Sequence, residues 1–560
     1  MSVLTAFFNY GMQVSLGPTA EQHKPLPDIL QHHGELLHAL VLTLPIGEWG
    51  KRPLTSDVMQ RLFDAVPQLS NTFFMQRVLD GESIQDNEAQ VVLSLQERIR
   101  FHTHGVRNWG YFDNVVALSR DLYAALDQGL SAHHGFGASD VIDVLLALTS
   151  EFERRNGEHW EILRKVLRGR TVRKLVELYY RHVPNLTGSV DEMLAALPKS
   201  FTREQMIGLL MSHLDLRVLD VATFTVAEIA ALTKKPVSAI QAVLNALAFE
   251  PGSLEDQKPQ HLFLDNPVWD HPAIRMGRRF IIPLPHMAFS HIHRLMDRLI
   301  AEAGLQKQLK DRRAIYLEQQ LEAVFRSALP GAEIKPGIRW KKNGQQFEND
   351  LVVLFDHVVI IAEAKSHRLT PSGLRGGKER VKRHLDEMVL DPSIQSLRLE
   401  ALITAARGGD AEATEILTDI GIDPTLADRV VRLSVTLDDF SVLSASEPDF
   451  KKVGWVPQDH ALAPSFLISD LKCVVSILDN PISFLHYIYE RVDLQKSFDL
   501  LGDEIDYLGL YLATGFNIAA LRKDFSKFSP VGMSAPIDRY YRERETGLNV
   551  PKPKMDLCPL

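Results

Sequence analysis

The chain has 560 residues, 45% hydrophobic and 24% charged, an ordinary globular composition long enough for three or four domains, which excludes a disordered or low-complexity architecture. Its 62 Lys and Arg against 71 Asp and Glu give a formal net charge of -9, so a wholly basic nucleic-acid binder is excluded and any such contact is confined to a local basic face. Two cysteines, Cys473 and Cys558, are too few for a disulfide scaffold or a thiolate zinc site, and no run of 18 apolar residues occurs, so a cytoplasmic protein without a membrane partner is expected.

From Leu30 to about Leu214 apolar residues recur at three and four positions, as in Val141, Ile142, Val144, Leu145, Leu148, then Leu163, Val166 and Leu167. This spacing predicts a helical N-terminal region over 1–215, and no 30-to-45-residue self-similarity points to a solenoid. Between Phe224 and Phe249, Thr225 with Glu228 three residues on forms a capping box, followed by a short helix, a Lys234-Lys235-Pro236 break and a second helix. With the AIRM and RFIIP segments flanking Gly277 as a hairpin, residues 216–300 read as a winged-helix-like module. Its second helix exposes Ser238, Gln241 and Asn245 but no arginine, which favours packing or protein contact over reading of DNA.

A helix follows to about Leu309, and another over RAIYLEQQLEAVFRSAL carries Leu317, Leu321, Val324 and Phe325 on one face. The segments AEIKPGIRW, QFENDLVVLF and HVVIIAEAK read as strands, the first two joined through a tight turn at Lys342-Asn343-Gly344. Helices over 378–390 and 393–406 and a buried strand near 429–437 complete an α/β unit at 305–475. A helical segment with a Pro-rich tail fills 476–560, so the fold class is multidomain α plus α/β.

The string FENDLVVLFDHVVIIAEAK carries the chemistry. Asp350 opens one apolar strand, and Glu363 and Lys365 close the next; being two apart, Glu363 and Lys365 share one face of their strand. Buried charges are costly unless paired or bound to a metal, so three of them at the ends of apolar strands mark a functional centre. Two carboxylates supply hard oxygen ligands for Mg²⁺, which keeps several waters and shares its remaining positions with a phosphate. Such a metal activates a water and offsets charge on the phosphate, while Lys365 orients that water or stabilises the attacked group. The bland alternative is a salt-bridge set at a sheet edge, with Glu348 merely sharing the exposed face of Asp350.

Asp350 with Glu363-Ala364-Lys365 resembles the core of the PD-(D/E)xK nuclease superfamily, the restriction-endonuclease-like fold. The resemblance implies a mixed central sheet, Mg²⁺ (with Mn²⁺ as a substitute), and metal ligands at Asp350, Glu363 and the Ala364 backbone carbonyl. It also implies a helical acid before the hairpin, for which Glu318 fits better than Glu322, and a glutamine near the site, Gln395. After the lysine, Arg368, Arg375, Lys378, Arg380, Lys382 and Arg383 meet a single acid, Glu379, before Asp386, and beside the triad they read as contacts to nucleic-acid phosphates rather than a solvated helix face. The signature Pro-Asp pair is absent, since Asn349 precedes Asp350. Over roughly residues 220 to 515 the chain is also similar to large bacterial proteins that embed such a domain, implying a role in DNA metabolism or anti-phage defence.

Other candidates are weaker. His32-His33, His102-x-His104 and His133-His134 lack helical zinc spacing, and no phosphate-binding glycine loop follows a strand. Asp503, Glu504 and Asp506 read as an acidic helix patch with a structural or contact role. The expectation is a Mg-dependent nuclease acting on nucleic acid, DNA first. Its alternatives are an RNA-directed nuclease and a catalytically silent regulator that binds nucleic acid or protein through the winged-helix-like module. A homo-oligomer or a regulatory protein partner stays open.

Overall fold

The computed structural model describes residues 4, 30–51, 56–82, 84–105, 110–258, 260–368, 370, 378–439, 447–517 and 527–555. The chain is mixed α plus β, and among the described residues no helix is long and apolar enough to cross a membrane. It divides into two compact units, Met1–Phe73 with Leu126–Leu305, and Phe74–Ala125 with Gln306–Leu560.

The first unit is built on the 30-residue helix Ala138–Leu167. Leu163 and Val166 of that helix join Leu175, Val176, Tyr179, Met206, Leu210 and Leu214 in one apolar core. A small mixed sheet follows, in which Thr223–Thr225, Arg279–Ile281, Ala273–Met276 and Ala248–Phe249 lie side by side in that order. The Thr225 capping box forms as its residues demand: the Thr225 N–H donates to Glu228 Oε2 at 2.7 Å, and the Glu228 N–H donates to Thr225 Oγ1 at 3.3 Å. It starts helix Val226–Thr233, and Lys234 at φ +57° makes the turn into helix Val237–Ala246.

The second unit carries the candidate site. Helices α1 (Asn87–Gly105), α2 (Phe112–Tyr123) and α3 (Gln306–Ala328) precede strands β1 (Glu333–Lys342), β2 (Gln345–Phe355) and β3 (Val358–Lys365). Next come α4 (Lys378–Leu385), a π-helical turn at Asp386–Leu390, α5 (Asp391–Arg407), β4 (Arg429–Thr436) and β5 (Ser465–Leu467). The five strands lie in chain order; β1, β2 and β3 are antiparallel neighbours, while β4 and β5 add in parallel. Asn343 and Gly344, at φ +52° and +77°, make the left-handed turn that an Asn-Gly pair favours.

Strand β3 is buried on both faces, which is why its residues 359–362 read as a continuous apolar run. Val359 and Ile361 pack with Leu399, Leu402 and Ile403 of α5, and α3 lies on the same sheet with Leu317, Leu321 and Phe325 buried.

The units cross the boundaries expected at 215 and 475. Val91, Val92 and Leu95 of α1 enter a core with Val381, Leu385, Met388, Val389, Phe450 and Trp455, so residues 74–125 fold with the C-terminal half. The helices beyond 476 belong to the same unit: Arg491 and Glu504 form a buried ion pair at 3.1 Å, and Gln495 donates to the Leu462 carbonyl at 3.4 Å. Glu504 takes the structural one of the two roles expected for it, because Arg491 and the Tyr487 hydroxyl enclose its carboxylate.

Leu95 is fully buried. Leu95→Ala is expected to destabilise the second unit by about 2–5 kcal/mol, read as a lower urea midpoint at unchanged slope.

Candidate active site

The site forms where β2 parts from β3. Strand β2 pairs with β3 only from Phe355 to Leu351, whereas its pairing with β1 runs on to Gln345. Beyond that point β3 continues to Lys365 with β4 as its paired neighbour. The β1–β2 ladder skips one position, Gly337 opposite Asp350, and Gly337 sits at φ +61°. Asp350 thus occupies an interruption between two regular stretches, where its side chain takes the place of a ladder partner: the Ala364 N–H donates to Asp350 Oδ2 at 2.8 Å. A residue whose N–H faces one neighbour presents its carbonyl to the same side, so the Ala364 carbonyl also belongs to this junction.

Glu363 and Lys365 share the α5 side of β3 with Val359 and Ile361, as their spacing predicts. Glu363 is fully buried. Asn349 Nδ2 donates to Glu363 Oε1 at 2.6 Å, while Glu363 Oε2 has no hydrogen-bond partner among the described residues. Burial first, then the Asp350 carboxylate, push the Glu363 carboxyl up to about 8, against the lowering effect of the Asn349 hydrogen bond and Lys365. Lys365 Nζ donates to Gln395 Oε1 at 2.8 Å and stands 3.9 Å from Asp350 Oδ2. Asp350, Glu363, Lys365 and Gln395 are therefore together, and the Ala364 backbone lies beside them.

Glu318 is placed differently. Leu317 and Leu321 anchor α3 to the sheet, and Glu318, one position on, is turned outward and exposed. Partial burial, then Asp350 and Glu348, raise its carboxyl above the usual range, so it lies within electrostatic reach of the pair. Among the described residues no three His, Cys, Asp or Glu side chains form a group that would hold a metal ion, so Glu318 does not stand in one cluster with Asp350 and Glu363. The donors that do converge are two carboxylates, one of them with a buried oxygen lacking a partner. That set fits Mg²⁺, a hard cation commonly held by one or two carboxylates with waters and substrate phosphate filling the remaining positions.

The basic run is only partly available. Arg368, Arg380 and Arg383 are exposed and Lys382 is half-buried, whereas Lys378 donates to Glu88 of α1 at 3.0 Å. Arg383 stands 3.9 Å from Glu387. Arg375 lies outside the described residues. Of the histidines, His102 pairs with Asp439 at 2.5 Å.

Asn349 and Trp340 are the residues that motif reading misses. Trp340 Nε1 donates to Asn349 Oδ1 at 2.9 Å, Phe347 stacks on Trp340 at 4.6 Å, and the Arg398 guanidinium lies over the Phe347 ring at 5.3 Å. The signal was the Asn343-Gly344 turn, which sets the register and brings Trp340 and Asn349 to opposite strands of one hairpin. Comparison with known proteins gives no match to a family model, a curated protein or a solved structure.

A carboxyl raised by the fold stabilises the folded state when protonated, and that contribution is lost as pH rises from its ordinary value through about 8. Glu363→Gln, which mimics the protonated form, is expected to match wild type in EDTA at pH 5. At pH 9 it should be more stable by about 1.4 kcal/mol or more, as read from urea unfolding at both pH values.

Proposed function

We propose that the chain is a metal-dependent nuclease that hydrolyses phosphodiester bonds in DNA, using Mg²⁺ or Mn²⁺, in bacterial DNA metabolism or anti-phage defence. The observation that carries this reading is the convergence of Asp350 and Glu363 with Lys365, itself held by Gln395, at the point where β2 leaves β3. A salt-bridge set at a sheet edge would keep its charges near water, whereas Glu363 is fully buried. The preference for DNA comes from the sequence resemblance to the PD-(D/E)xK superfamily, and the biological setting from the similarity of residues 220 to 515 to large bacterial proteins that embed such a domain.

Asp350 and Glu363 would hold the cation, with the Ala364 carbonyl as a neutral third donor. Mg²⁺ in such a position lowers the pKa of a bound water and offsets negative charge on the phosphate. The rest is done by the chain. Asp350 Oδ2 is fixed by the Ala364 N–H, so the carboxylate needs little reorganisation when substrate arrives. Lys365 spends one Nζ proton on Gln395 Oε1, and its remaining donors are free to orient the attacking water or hold a phosphate oxygen. Gln395 thereby keeps the ammonium at the site rather than letting it swing to solvent. Arg368, Arg380, Lys382 and Arg383 would take phosphates flanking the scissile one, contributing salt-sensitive, sequence-independent affinity. Lys378 contributes once released from Glu88.

The test is cleavage of supercoiled plasmid, linear duplex, single-stranded DNA and RNA with Mg²⁺, Mn²⁺ or EDTA. Duplex DNA should be cut with either metal and not in EDTA, and Lys365→Ala and Asp350→Ala should each lower the rate by about 10²–10³-fold. Cutting that survives in Lys365→Ala would overturn the assignment, and a preference for RNA would transfer the same chemistry to the other substrate. Arg380→Ala with Arg383→Ala should weaken DNA binding uniformly across sequences and flatten its salt dependence, as measured by fluorescence anisotropy from 50 to 200 mM salt.

A further inference from the structure

We propose that Asn349 is a positioning residue that selects which oxygen of Glu363 faces the cation, an inference that rests on the nuclease reading above. Asn349 is buried at 1% exposure on β2, one residue before Asp350. Its amide has two chemically different ends, and its surroundings fix which end points where. On one side stands Trp340 Nε1, 2.9 Å from Asn349 Oδ1. An indole N–H only donates, so the atom facing it must be the carbonyl oxygen. The amide NH₂ is then compelled to face the other way, where Glu363 Oε1 accepts from Nδ2 at 2.6 Å and the Gln395 carbonyl at 3.4 Å.

The consequence falls on Glu363. Oε1 is occupied by the Asn349 donor, and Oε2 is left as the oxygen without a partner. A carboxylate free to rotate would present either oxygen in either orientation. One pinned at Oε1 presents Oε2 in a single orientation. Trp340 thus acts on the site through two hydrogen bonds, and the Phe347 ring stacked on Trp340 at 4.6 Å keeps the indole from turning away. The chain Trp340, Asn349, Glu363 runs from the hairpin to the end of β3. It gives the residue before Asp350 a task that an apolar or imino residue there could not perform, since neither offers a side-chain N–H. Outer hydrogen-bond partners of this kind orient ligand groups, and their removal commonly weakens metal affinity 10- to 100-fold.

The experiment measures Mn²⁺ binding to the full chain by loss of the free-ion electron paramagnetic resonance signal. It compares wild type with Asn349→Leu, Trp340→Phe and the double variant, with Asp350→Asn and Glu363→Gln as controls. Asn349→Leu keeps the volume and removes the amide, and is expected to raise the Mn²⁺ Kd about tenfold or more. Its plasmid-cleavage rate should climb back toward wild type as Mn²⁺ is raised, a rescue that a merely structural defect would not show. Trp340→Phe frees the amide to turn and should give a smaller loss in the same direction. The double variant, which leaves no indole N–H unpaired in the core, should match Asn349→Leu even if that single variant folds poorly. A Kd unchanged in Asn349→Leu and the double variant, while both controls abolish binding, would overturn the positioning role and leave the nuclease reading intact. Absence of Mn²⁺ binding in wild type, or binding indifferent to Asp350→Asn and Glu363→Gln, would overturn the nuclease reading and this inference with it.

Discussion

A carboxylate buried at the end of an apolar strand constrains everything around it. Glu363 follows Val359, Ile360, Ile361 and Ala362, all buried, so the packing that places β3 at the centre of the sheet also carries the acid out of water. A buried acid is tolerated when it is protonated, paired or bound to a cation. Asn349 supplies one donor, the nearby Asp350 carboxylate favours the protonated form, and Lys365 adds compensating charge two residues on.

The geometry that makes this possible is a departure. Where β2 stays with β3, backbone hydrogen bonds fill the edge and leave no room for side-chain chemistry. At Asp350 the ladder stops, Gly337 absorbs the local change in backbone direction on β1, and the Ala364 N–H turns to a side chain instead of a strand. The hairpin beyond is not left loose, because Trp340 and Phe347 stack and Trp340 belongs to the α5 core. On the β1 side the ladder skips one residue pair and resumes at Ile338 and Asn349, whereas the pairing with β3 ends at Leu351.

Much of this was legible in the sequence, for identifiable reasons. The Asn343-Gly344 turn and the apolar runs on either side specify the hairpins, since a left-handed turn and period-two burial are properties of short segments. The common face of Glu363 and Lys365 follows from the pleat alone. What could not be read depends on distant residues. Glu88 neutralises Lys378 from 290 positions away, so the charge run looked wholly available. Val91, Val92 and Leu95 show helical spacing but nothing that says they pack on Val381 and Leu385, so the sequence does not reveal that residues 74–125 join the C-terminal unit. Glu504 carries no mark of burial until Arg491 is brought against it. Glu318 was placed by helical phase, which brings it near the site but not among the converging donors.

Asn349 is an amide whose two ends are assigned by a donor on one side and an acceptor on the other. A proline at that position would hold the backbone but leave Glu363 Oε1 with no donor and the Trp340 N–H with no acceptor, two buried polar groups at about 1–3 kcal/mol each. Trp340, Asn349 and Glu363 therefore form a set in which each residue makes sense only with the others. The same set ends on Glu363 Oε2, a buried oxygen with no hydrogen-bond partner among the described residues.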